Sequence, residues 1–162
     1  MEIRKYQNTD FDEIAELFYN TVHSVNLKDY SQEQANVWAT GKLDSNRWNK
    51  SLLKNYSLVA IEGKQIVGFG DIDKTNYLDR LYVHKDFQGK GVATAICDEL
   101  EKQANEGTIS VNSSITAKSF FEKRGYKVLK KQQVELAGAF LTNYVMEKQM
   151  YISCQECSKN EL

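Results

Sequence analysis

The run Leu81-Tyr82-Val83-His84-Lys85-Asp86-Phe87-Gln88-Gly89-Lys90-Gly91-Val92-Ala93 carries an apolar strand pattern through a loop with two glycines and straight into a helical pattern. A junction of this kind suits an anion. Glycine lets the backbone come close to a phosphate, the first turn of a helix leaves its N–H groups unpaired, and the helix dipole favours negative charge at that end. Val92, Ala95, Ile96, Leu100 and Ala104 recur at helical spacing and would press the helix onto a sheet, holding those N–H groups in place. Two glycines alone also read as a tight strand-to-helix turn without a ligand. A Walker loop is excluded, because Gly89-Lys90 is followed by Gly91 and not by Ser or Thr. A dinucleotide fingerprint fits poorly, since its third glycine is missing and the strands before it form a meander.

The elements that must position this loop follow from hydrophobic period. Glu2 to Tyr6 alternates as a strand, Asp10-Phe11-Asp12-Glu13 has the form of a capping box, and Phe11, Ile14, Ala15, Leu17, Phe18 and Val22 form one apolar helical face. A second cap-like box, Ser31-Gln32-Glu33-Gln34, opens a helical piece reaching about Thr40, and a third helix covers about Asn46 to Lys54. Then the period changes. Tyr56 to Glu62, Gln65 to Asp73 and Tyr77 to His84 read as an antiparallel meander. A helix from about Gly91 to Asn105, a short strand at Thr108 to Val111 and a helix from Ser114 to Lys123 come next. Strands at Lys127 to Leu136 and Ala139 to Lys148 close the order. The expected class is α+β (or α/β with one crossover), a mixed central sheet of seven strands with helices on both faces.

Length and composition bound the rest. A chain of 162 residues with 41% hydrophobic content fits one domain, expected over residues 1–150, with residues 151–162 as a flexible tail. Net charge is −1, so no broad field is available to hold nucleic acid or an anionic membrane, and neither partner is expected. No apolar run has the length of a membrane span, and the start at Met1-Glu2-Ile3-Arg4 lacks a signal-peptide core; a cytoplasmic location is the expectation. Cys97, Cys154 and Cys157 make no disulfide framework, and the lone C-x-x-C of the tail lacks a second ligand pair, so no metal site is expected.

Gln88-Gly89-Lys90-Gly91-Val92-Ala93 resembles the Gln/Arg-x-x-Gly-x-Gly/Ala signature of the GCN5-related N-acetyltransferase (GNAT) superfamily. Ser114-x-x-Ala117-x-x-Phe120-Phe121-x-x-x-Gly125-Tyr126 resembles the second element of that family, in the right order. Tyr30-Ser31-x-x-Gln34-x-x-x-Trp38, Ser114 to Lys118 and Gly138 to Tyr144 are similar to its YafP-like branch. The resemblance covers about Met1 to Gln149 and implies acetyl-coenzyme A as cofactor. It implies that Leu81, Tyr82 and Val83 hold the pantetheine arm through backbone hydrogen bonds, and that Gln88, Gly89, Lys90, Gly91, Val92 and Ala93 hold the pyrophosphate. Ser114, Ala117, Phe120 and Phe121 would complete the cofactor wall.

The family's reaction is attack of an amine on the acetyl thioester in a ternary complex, which needs a base and a proton donor. Alternation places Asp79 on one side of its strand with Tyr77, Leu81 and Val83, and the family often carries its acidic base on this strand, so Asp79 is the candidate. A strand-end ion pair with Arg80 is its plain alternative. His23 is a weaker base candidate beside a packing role, and Asp71 and Asp73 read as solvated. Many relatives place a donor tyrosine where this chain has Phe121; Tyr82, Tyr126, Tyr144 or water are the substitutes. Ser114 stands where an asparagine often steadies pantetheine. In this fold the early helices cover the acceptor side, which makes Tyr30, Gln34, Trp38 and Trp48 pocket candidates, joined by Asn143 and Tyr144; core packing and ordinary strand chemistry are their alternatives. Lys85 and Lys90 either meet adenosine phosphates or keep the surface soluble. The implied acceptor is an amine of a small molecule or peptide. A cofactor-binding module with little catalysis is the second reading, a plain nucleotide-binding domain the third, and a homodimer through the last strands stays open.

Overall fold

The computed structural model describes residues 1–104 and 106–150; the expected tail, with Cys154 and Cys157, lies outside the described residues. In chain order the elements are β1 (Glu2–Lys5), α1 (Phe11–Val22), α2 (Gln32–Trp38), α3 (Ser45–Lys54), β2 (Tyr56–Glu62), β3 (Gln65–Ile72), β4 (Tyr77–Val83), α4 (Val92–Gln103), β5 (Gly107–Ser114), α5 (Lys118–Lys123), β6 (Lys127–Leu136) and β7 (Ala139–Met150). Among the described residues seven strands form one mixed sheet in the order β1-β2-β3-β4-β5-β7-β6. Only β4 and β5 run parallel among the described residues, and they pair only at Tyr77 with Ser110 and Leu78 with Val111. β6 ends the sheet, where a two-fold pairing of last strands would have to form.

Strand alternation sends β2 side chains to two separate cores. Leu58 and Ala60 join Val92, Ile96 and Leu100 of α4, whereas Val59 joins Ile14, Phe18 and Val22 of α1 and Leu52 of α3. Helices therefore cover both faces. The α4 face is kept flat by Gly68 and Gly70 of β3. A Cβ on Gly70 would lie 2.9 Å from the Arg80 carbonyl oxygen and 3.0 Å from Ile96 Cγ2. Gly70→Ala is expected to destabilise the fold by about 1–3 kcal/mol through this overpacking, measured as a lower urea midpoint at unchanged slope; an unchanged midpoint would contradict the close approach.

Several boundaries differ from the sequence reading, each for a tertiary reason. The box expected at Asp10 forms one turn earlier, because the Asp10 carboxylate turns back to accept from both Arg4 guanidinium nitrogens at 2.8 Å and from the Gln7 N–H at 2.9 Å. The Ser31 box forms as read: Ser31 Oγ accepts from the Gln34 N–H at 3.1 Å and Gln34 Oε1 from the Ser31 N–H at 2.8 Å. β5 runs past Val111 through Asn112, Ser113 and Ser114, residues of poor strand propensity, because β7 pairs with it from Gly107 to Ser114. The helix read from Ser114 starts only at Lys118, since the Ser114 hydroxyl accepts from the Ala117 N–H at 3.1 Å and makes a turn there.

Candidate active site

Asp71 pairs with Arg80 and the next β3 residue, Ile72, pairs with Leu78, so Asp79 is an extra residue bulged out of β4. Beyond Leu78 and Val111 the parallel strands lose contact, β4 staying with β3 as far as Val83 and β5 with β7 as far as Ser114. The sheet is split at the bulge. A bulge re-aims side chains and ends pairing, and here it leaves the β4 edge from Asp79 to Val83 facing a cleft of about 460 Å³. Thr21 of α1 and Val92, Ala93 and Thr94 of α4 both reach its wall, so the cleft passes through the sheet from one face to the other.

The N-terminus of α4 opens into this cleft. Gly91 caps the helix at φ 81°, and among the described residues no side chain caps the helix N–H groups. Gly89 has φ 70°, and a Cβ on either glycine would meet nothing within 4 Å, so space in front of the loop is open. Left-handed backbone there explains both glycines. The loop is tied to the end of β4: the Val83 carbonyl accepts from Gln88 Nε2 at 2.7 Å and from the Thr21 hydroxyl at 3.0 Å. Leu81, Tyr82, Val83, Gln88, Gly89, Gly91, Val92, Ala93, Ser114, Ala117, Phe120 and Phe121 all line the cleft. Lys90 does not; its ammonium sits 5.0 Å from the Phe87 ring centroid. Phe121 packs edge-on between Phe120 and Tyr126.

On the α1 side the Tyr82 ring lies against Phe18 and Phe69, with centroids at 4.8 and 5.5 Å. Its hydroxyl accepts from Trp38 Nε1 at 3.2 Å, and burial pushes its pKa far above the ordinary phenol range, so the oxygen keeps its proton. Asp79 also lines the cleft, its side chain 38% exposed and 3.4 Å from Arg80. The other tyrosines are elsewhere. Tyr126 donates to Glu101 at 3.2 Å beneath α4, and Tyr144 lies under the Lys118 ammonium, 5.1 Å from its ring, off the cleft wall.

Of the expected pocket residues only Trp38 reaches the wall. Tyr30 donates to the Thr142 carbonyl at 2.6 Å and accepts from the Ile115 N–H at 2.9 Å, and Gln34 donates to the Phe140 carbonyl at 2.7 Å. These bonds dock α2 onto β7 and the turn after β5. Asn143 is also off the wall, with a buried Oδ1 that has no hydrogen-bond partner among the described residues. Trp48 packs on Phe18 and the Arg80 guanidinium. His23 stacks on Tyr19 with Nε2 at 2.7 Å from the Ala39 carbonyl and Nδ1 at 3.1 Å from the Gln32 amide, so both nitrogens are engaged away from the cleft. Thr21, Asn26, Asn112, Ser113 and Thr116 line it without having been singled out; Thr21, a hydroxyl within the apolar face of α1, was the readable signal. Among the described residues no group of His, Cys, Asp or Glu could hold a metal ion, and no helix is long and apolar enough to cross a membrane.

Asp71, read as solvated, is fully buried. It accepts from Arg80 at 2.5 Å and Asn55 at 2.9 Å, while Arg80 also donates to Ser51 at 3.0 Å. Asp73, in contrast, stays near the surface and organises the turn to Thr75 and Tyr77. Burial outweighs the pull of Arg80 and raises the Asp71 pKa from 3.8 to about 6. Between those values the folded chain keeps a proton that the unfolded chain has released. Stability from this group is therefore present below about pH 4 and falls by about 3 kcal/mol as pH rises to about 6. Urea unfolding from pH 4 to 7 should show this loss in the wild type and a flatter profile in Asp71→Asn.

A sheet split at a bulge, with an unpaired strand edge running into a glycine loop and an uncapped helix, defines an α+β class with a cleft open between its parallel strands. The family model for the acetyltransferase (GNAT) domain matches residues 26–148. The chain is 38% identical over 147 residues to the uncharacterized N-acetyltransferase YafP of Escherichia coli K12, covering 90% of this chain and 94% of that one. Its fold matches a GCN5-related N-acetyltransferase of Rhodopseudomonas palustris with TM-score 0.88 and 32% identity, over 92% and 95% of the two chains. A PaiA N-acetyltransferase of Thermoplasma acidophilum, solved with coenzyme A, shares the fold with TM-score 0.73 at 20% identity, over 92% of this chain and 98% of that one. The chain belongs to the GNAT acetyltransferase family and is an N-acetyltransferase by class.

Proposed function

We propose that this protein transfers the acetyl group of acetyl-coenzyme A to a primary amine of a small molecule or peptide by direct attack in a ternary complex. The observation that carries the reading is the continuous path from the unpaired β4 edge, Asp79 to Val83, to the uncapped N–H groups after Gly91. The β4 edge at Leu81, Tyr82 and Val83, which β5 leaves unpaired, offers backbone to an extended amide chain, the Val83 carbonyl being already taken by Gln88 and Thr21. The N–H groups of Val92 and Ala93 suit a pyrophosphate. Ser114, Ala117, Phe120 and Phe121 form the facing wall. Bound there, the cofactor supplies a thioester carbonyl to which the amine nitrogen bonds as the carbon–sulfur bond breaks.

Asp79, bulged into the cleft, takes the proton of the acceptor ammonium. Tyr82 Oη, held by Trp38 and keeping its own proton, donates a hydrogen bond to the departing sulfur, which leaves as thiolate and needs less help than an alkoxide. Tyr144 has no place in this reading. Tyr82→Phe is expected to lower kcat by up to about 10² and Tyr144→Phe to leave it unchanged, measured as free-thiol release. The reverse pattern would exchange their roles. Phe121, which has no hydroxyl, favours the second reading of a coenzyme A-binding module with little catalysis. Calorimetric titration of acetyl-coenzyme A followed by thiol release with an amine panel decides: binding with turnover supports the enzyme, binding alone the module, and no binding neither.

A further inference from the structure

We infer that the acceptor is a cationic amine that presents an apolar or aromatic body and carries no carboxylate beside its amino group. The inference rests on the reading of the preceding section. Asp79 is the one residue of the cleft wall with a full charge among the described residues; no Lys, Arg or His lines the cleft. Its neighbour Arg80 does not neutralise the site. Asp71 holds that guanidinium at 2.5 Å against 3.4 Å for Asp79, and Ser51 and the Trp48 ring fix it further, on the α1 face that also carries Phe18 and Tyr82. At pH 8, above the value of about 6 to which burial raises Asp71, that carboxylate is ionised and uses up the charge of Arg80. Two carboxylates share one guanidinium, so the bulge faces the cleft with net negative charge.

The phosphate-binding end of the cleft is remote from this point. Val83 is four residues beyond Asp79, about 13 Å along an extended strand. Near Asp79 an acceptor meets a carboxylate, the Trp38 indole and the Tyr82 ring, and the one cation beside it, Arg80, is off the cleft wall and already shared by Asp71 and Asp79. An ammonium gains both the countercharge and a ring face, whereas an α-carboxylate must approach a like charge without a partner on the cleft wall. Trp38 is aimed for this, because its Nε1 is bound to Tyr82 Oη at 3.2 Å and Tyr30 stacks on its edge at 5.1 Å.

Matched twins test the assignment. The full chain is saturated with coenzyme A and titrated at pH 8 with tryptamine and with tryptophan, and acetyl transfer to each is followed by thiol release. Tryptamine is expected to bind and to react at least about tenfold better than tryptophan. Asp79→Asn should weaken tryptamine binding about tenfold and bring the two affinities together, and Trp38→Ala should weaken tryptamine about fivefold. Tryptophan binding as well as tryptamine, or a ratio preserved in folded Asp79→Asn, would overturn the assignment and leave the acetyltransferase reading standing. No binding of coenzyme A would overturn both.

Discussion

Gly91→Asp should weaken coenzyme A binding at least about a hundredfold and leave the protein folded. Gly91 sits at the N-cap of α4 with φ 81°, where a side chain costs about 1–2 kcal/mol of backbone strain. Aspartate offsets that cost, because it tolerates the left-handed region and a carboxylate at an N-cap accepts from the free N–H groups of the first turn. The same bond disables the loop. It occupies the donors that a pyrophosphate would use and sets a negative charge in front of them, and each charge-assisted bond removed is worth about 1.5–3 kcal/mol. Gly91→Ala, which carries the strain without the charge, is the control and should lose far less affinity. Calorimetric titration of both variants, with their urea midpoints, checks the expectation; equal affinity in wild type and Gly91→Asp would remove α4 from the binding site.

Asp79→Asn should lower kcat/KM for the amine by about 10²–10⁴ with coenzyme A affinity unchanged. The amide is nearly isosteric, so the bulge that splits the sheet persists, and the β4 backbone and the α4 wall offered to the cofactor keep their places. What is lost is an acceptor for the ammonium proton. The deficit should therefore shrink as the assay pH approaches the pKa of the amine itself, because more acceptor then arrives deprotonated. A purely structural ion pair with Arg80 would behave differently. Its loss would show in the unfolding midpoint and leave the rate and its pH dependence alone. Arg80 keeps Asp71 as its main partner in the variant, so the stability change from the exposed side of the pair should be small.

The elements were legible where a local pattern carried them. β2 and β6 begin and end at the residues that alternation indicates, α1 follows its apolar stripe, and the Ser31 box caps α2. Burial and partner choice were not legible. Asp71 looks like any polar strand residue until Arg80 on β4 and Asn55 at the end of α3 close around it. Tyr30 and Gln34 have the chemistry of a pocket, yet carbonyls of β7 more than a hundred residues away along the chain use up their hydrogen bonds.

By itself the sequence determined the run of strands and helices, the glycine loop at the head of an apolar helix, and the family resemblance, because period, glycine spacing and capping residues are properties of neighbouring positions. Only the tertiary structure decided which side chains face the cleft. A one-residue bulge in β4 re-aims Asp79 and parts β4 from β5, and this depends on registers set against β3 on one side and β7 on the other. The ladder of distant strands, not the residues around Asp79, supplies the energy that holds that split open.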